Sequence, residues 1–179
     1  MLIGAAFTGP VAIAGAEPGP HVLHQHTPDP QTHPERRVGS FVVAGAVAHR
    51  LRLDVADLRG LPSRTVEVTF KSGSGVEHHV YVGPRLLDVL ATAGPTFDPA
   101  IKNDKLRYFV SVSASDGYRA LVAYCEIDPS FEAKDVLLAT SEDGRSLAAD
   151  GPRLVVPGDI AGGRYVTNII RVSLGKPES

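Results

Sequence analysis

From residue 38 to residue 174 the chain is a succession of short β-branched runs broken by Gly, Pro and Asp-Gly, and one segment only carries a clear helical apolar period. Residues 64–70 alternate, with Val66, Val68 and Phe70 on one face and Thr65, Glu67 and Thr69 on the other, which predicts a half-buried strand. Ser72 to Gly75 is a turn, and residues 76–82 are its hairpin partner. Residues 84–93 predict the main helix: Pro84 suits a first turn, Leu86, Leu87, Val89, Leu90 and Ala93 form an apolar face, and Gly94-Pro95 ends it. Further strands are expected at 38–47, 49–53, 105–113, 118–127, 153–156 and 165–174, with a brief apolar run at 136–139 and a turn at 142–145. Asp54 caps a short helix at 55–59, and Ser115-Asp116-Gly117 is a hairpin turn. Strand and helix do not alternate in units of about 30 residues, which excludes a doubly wound sheet. The pattern predicts a mixed α+β domain that is mainly β.

A length of 179 residues suits one such domain, and 43% apolar with 21% charged residues is globular composition. A net charge of −2 and the absence of Trp argue against nucleic acid as a partner. The single cysteine, Cys125, allows no disulfide within the chain and reads as a buried structural thiol on a strand. Residues 1–16 are small and apolar and end in Ala14-Gly15-Ala16, the pattern of a signal peptide, so an extracytoplasmic location is expected. Gly9-Pro10 interrupts this stretch, which is too short to serve as a stable membrane anchor. Residues 17–37 hold five prolines and four of the seven histidines and predict a disordered Pro/His-rich linker. The folded domain is expected at 38–175.

Two motifs carry more than secondary structure. Ser115-Asp116-Gly117-Tyr118-Arg119 lies between apolar runs, and Gly151-Pro152-Arg153-Leu154-Val155-Val156-Pro157-Gly158 precedes a Gly-rich loop and the run Gly162-Gly163-Arg164-Tyr165-Val166. In this order they resemble the molybdopterin-binding oxidoreductase domain, the catalytic core of sulfite oxidases and their small relatives. The resemblance covers residues 38–174. It implies that family's fold, molybdopterin as cofactor and a pocket for a pterin-type or other small anionic ligand. It also implies a molybdenum-binding cysteine after an early strand. The matching stretch here is Thr69-Phe70-Lys71-Ser72-Gly73, with Ser72 where the cysteine stands in the redox enzymes, so bound molybdenum is not expected.

The resemblance places four residues at the cofactor: Arg164 at a phosphate-anchoring position, in a run whose lysine is replaced here by Thr167, Arg153 before the apolar strand, where the family residue more often supports structure, Ser72 at the metal-ligand position, and Tyr118 beside the substrate pocket. Each has a plainer reading. Lys71-Ser72-Gly73-Ser74-Gly75 is a polar turn, Gly-rich loops turn corners, and Tyr118 is a strand aromatic with a polar tip. His24-Gln25-His26 places two rings on one side of an extended chain, where they can share a metal, whereas His78 and His79 face opposite ways on a strand. No phosphate loop, paired-cysteine motif or nucleophile elbow is present. Three functions remain open: a pterin- or anion-binding domain without redox catalysis, a non-catalytic extracytoplasmic scaffold that binds another protein, and a molybdenum oxidoreductase with an unusual ligand.

Overall fold

The β-branched runs resolve into two antiparallel-rich sheets and a small two-stranded ladder. The computed structural model describes residues 39–177; the expected signal peptide and linker lie outside them. The first sheet combines β1 (Phe41–Gly45), β2 (Leu51–Leu53), β5 (Phe109–Ala114), β6 (Arg119–Ala123) and β11 (Ile169–Gly175) in the order β2-β1-β11-β5-β6. Only β1 and β11 run parallel, which brings the two ends of the domain together. The second sheet is β3 (Ser63–Ser72), β4 (Gly75–Pro84), β8 (Ser141–Glu142) and β9 (Arg145–Ser146) in chain order. β7 (Leu137–Ala139) pairs with β10 (Arg153–Val155).

The local signals explain these elements. In β5 the period of two sends Val110, Val112 and Ala114 inward. The Asp54 carboxylate accepts the N–H groups of Ala56 and Asp57 and starts α1 (Val55–Arg59), while the Asp57 side chain accepts the Asp54 N–H in return. In α2 (Leu86–Ala93) the buried face is Leu86, Val89, Leu90 and Ala93, and Gly94 ends the helix at φ 68°. A fully buried Leu or Val stabilises by about 1.5–3 kcal/mol, so this stripe fixes the helix on the sheet. Pro84 closes β4 opposite Ser63 instead of opening the helix. Among the described residues no helix is long and apolar enough to cross a membrane.

The expected strands at 38–47, 49–53 and 153–156 are trimmed at their ends, and three others give way to helical or irregular backbone within their runs. The 105–113 run opens with a 3₁₀ turn, Asp104–Arg107, because the Asp104 carboxylate accepts the Asp98 N–H and pairs with Arg107 and Lys176. The 118–127 run leaves the sheet after Ala123, where the Glu126 carboxylate caps the Ala123 N–H and winds α3 (Tyr124–Ile127). Cys125 therefore sits on a helical turn and is partly exposed, not buried in a strand. The 165–174 run pairs only from Ile169, because residues 165–168 detour through a 3₁₀ exit and a left-handed Asn168.

Candidate functional site

The β3–β4 hairpin presents Phe70, Glu77, His79 and Tyr81 on one face, since Phe70 pairs with Glu77 and the others follow at period two along β4. Phe70, Tyr81, Leu137, Val155 and Tyr165 form a hydrophobic cluster beneath this face. Tyr165 stacks on Phe70 with ring centroids 4.2 Å apart. The Gly-rich loop docks against the end of β3: the Lys71 N–H donates to the Ile160 carbonyl at 2.8 Å, and Lys71 bridges to Ala161 in parallel. Gly162 is required there, because a Cβ at this position would lie 2.8 Å from the Phe70 ring.

Between the hairpin end, β10 and this loop lies an open groove of about 400 Å³, lined by Ser72, Glu77, Arg153, Gly162, Gly163 and Tyr165 among others. Two expected cofactor residues, Ser72 and Arg153, thus come together 81 positions apart in sequence (153 minus 72). No cysteine lines the groove. The Ser72 hydroxyl donates to Glu77 Oε1 and accepts the Ser74 N–H at 2.9 Å. Arg153 Nη1 donates to Glu142 Oε1 at 2.7 Å, and its guanidinium lies 5.6 Å from the Tyr81 ring centroid. Arg153 Nε is shielded from water and has no acceptor.

Arg164 and Tyr118 are placed differently. Arg164 is absent from the groove lining: Nε and Nη2 donate to the two Asp159 oxygens at 2.8 and 2.6 Å, and Nη1 reaches both Glu126 oxygens at 3.1 Å. The Asp159 bonds raise its already high pKa further. Arg164 ties the Gly-rich loop to α3. The Tyr118 hydroxyl donates to the Gly163 carbonyl, so it braces the loop while its ring stays half exposed.

A polar ladder leads away from the groove along β4, and the sequence reading missed it. Glu77 Oε2 accepts from His79 Nε2 at 3.1 Å, His79 Nδ1 lies 2.7 Å from Asp143 Oδ2 and 3.5 Å from Glu142 Oε1, and the Tyr81 hydroxyl donates to Glu142 Oε1 at 2.8 Å. The Asp143 bond, then Glu77, raise the His79 pKa above its ordinary value against the effect of burial. The Ser72 bond, followed by His79, lowers that of Glu77. Burial pushes the Tyr165 phenol up to about 12. His78 does face away, bonding Thr69 at 2.7 Å on the opposite side. The one legible trace of the ladder is Glu77-x-His79, two residues apart on one strand face.

A model of the oxidoreductase molybdopterin binding domain family matches residues 26–179. Among solved structures, the sulfane dehydrogenase SoxCD from Paracoccus pantotrophus shares the fold with a TM-score of 0.61 and 21% identity over 78% of this chain. The chain spans 39% of that neighbour's length. No curated protein matches the sequence.

Proposed function

The chain belongs to the oxidoreductase molybdopterin-binding domain family, and on that premise we propose that its groove binds a small anion of the pterin-phosphate kind through Arg153 without a molybdenum–thiolate bond. The observation that carries this reading is the buried Arg153 Nε–H with no acceptor. An unmet buried donor costs about 1–3 kcal/mol, and a ligand oxygen that reaches it recovers that cost. Ser72 and His79 already bond the neighbouring Glu77 carboxylate, which reduces its repulsion of an anion. Molybdenum itself fits poorly: the groove offers hydroxyl and carboxylate oxygens, not a soft thiolate, and the Ser72 hydroxyl is committed to Glu77.

The test is fluorescence titration with a pterin phosphate. Arg153→Ala is expected to weaken binding by about 10- to 100-fold, the loss of one charge-assisted contact, with the fold retained by circular dichroism. Equal affinity in the parent and the variant rejects the assignment. Protein from a molybdopterin-proficient host is expected to carry well under one molybdenum per chain by elemental analysis; stoichiometric metal overturns the reading of Ser72.

A further inference from the structure

We propose that His79, Asp143 and Glu142 form a binding site for a divalent first-row transition cation of the zinc class, oriented from outside by Glu77 and Ser72. One ligand atom from each of the three residues lies within 4.8 Å of the other two. A tetrahedral zinc with bonds of about 2.0–2.2 Å needs its ligands roughly 3.3 Å apart. Nδ1 of His79 and Oε1 of Glu142 are already at 3.5 Å, and Asp143 Oδ2, at 2.7 Å from Nδ1, needs to open by about 0.6 Å. The Asp143 side chain is 50% exposed, and with Oδ1 held by the Val80 N–H the adjustment is a rotation of the carboxylate that moves Oδ2.

The surrounding shell separates this group from a mere acidic cluster. A metal-bound histidine characteristically presents its second ring nitrogen to a carboxylate, and ligating carboxylates are themselves hydrogen-bonded. Here His79 Nε2 faces Glu77, which in turn accepts from Ser72. Asp143 Oδ1 accepts the Val80 N–H at 2.8 Å, and Glu142 Oε1, the oxygen nearest His79, itself accepts from Tyr81 and Arg153, so the ion shares that oxygen with both donors. The charges also match. With the imidazole neutral, three carboxylates (Glu77, Glu142, Asp143) face one guanidinium (Arg153), an excess of two negative charges that one divalent ion cancels. Imidazole with carboxylates suits zinc-class ions rather than a soft metal. Three protein ligands leave a fourth position for water, the arrangement of reactive rather than purely structural zinc. Ser72 then acts through Glu77 as a positioning residue for the metal ligand His79.

Ser72, Glu77 and Arg153 also line the groove, so Zn²⁺ alone is the probe and is titrated with no pterin or other anion added, which keeps the two readings distinguishable. Isothermal titration uses the full chain with His21, His24, His26 and His33 replaced by alanine, so that the tail does not compete. One equivalent is expected to bind saturably. His79→Asn and Asp143→Asn are each expected to weaken binding by at least about tenfold, and Glu77→Gln by about 10- to 100-fold through the outer shell. No saturable binding in the parent, or a smaller loss in either ligand variant, overturns the site. If His79→Asn does not fold by circular dichroism, the half-exposed Asp143→Asn decides.

Discussion

Arg164→Ala separates a structural clamp from a ligand anchor. The guanidinium joins Asp159 in a bidentate pair and Glu126 in a second, with side-chain exposures of 29%, 17% and 18%. Truncation takes a partner from both carboxylates and strands Asp159. Glu126 keeps the Ala123 N–H and Lys134, but no other side chain in the described residues bonds the Asp159 carboxylate. Removing one partner of a fully buried pair costs about 3–5 kcal/mol. Exposure near one-fifth reduces this to about 2–3 kcal/mol, well above the 0–1 kcal/mol typical of surface pairs. For a domain of this size that corresponds to a melting-temperature drop of roughly 6–12 °C. The assay is urea denaturation at neutral pH, with Asp159→Asn and the double variant completing a cycle. The double variant is expected to lose much less than the sum of the two singles, because the pair acts as a unit. A loss under about 0.5 kcal/mol for Arg164→Ala, the range of ordinary surface substitutions, with weakened binding of the pterin phosphate, refutes the clamp and restores Arg164 as the anion anchor.

The Asp128 carboxylate should make stability depend on acid. Burial acts to raise its pKa, but Lys105 and the Ser130 N–H outweigh this and hold it below its ordinary value. Its stabilising contribution is therefore complete above the unfolded value of about 3.9 and lost as pH falls through the lower folded value. Asp128→Asn is expected to lower stability at pH 7 and flatten its decline below about pH 4; an unchanged acid profile counts against the pairing. Gly162→Ala pushes a methyl to within 2.8 Å of the Phe70 ring and so displaces the Gly-rich loop. It is expected to cost about 1–3 kcal/mol by overpacking and to weaken the groove's ligand, whereas wild-type stability and binding would mean that the loop tolerates the shift.

Much of the scaffold was legible because its causes are short-range. Alternation in residues 64–70, the apolar stripe of α2, the Asp54 cap and the Asp116-Gly117 turn each act within a few residues, and each has its structural counterpart. The ordered motifs from Tyr118 to Arg164 likewise identified the family. Errors arose where an apolar run continued but the backbone did not stay in a sheet. At Tyr124 a capping glutamate and at Tyr165 stacking on Phe70 redirected the chain. Both are choices that hydrophobic period alone does not register.

The sequence by itself determined the family, the α+β class, the hairpin bearing Ser72 and the opposed faces of His78 and His79. Tertiary structure alone decided which charged groups meet. Arg164 finds Glu126 38 positions away, His79 finds Asp143 64 positions away, and Arg153 reaches the groove beside Ser72. Residue type fixes what a side chain offers, a donor, an acceptor or a charge. Its partner is fixed by strand register and loop docking, which arise from the packing of the whole domain, and no local spacing encodes them.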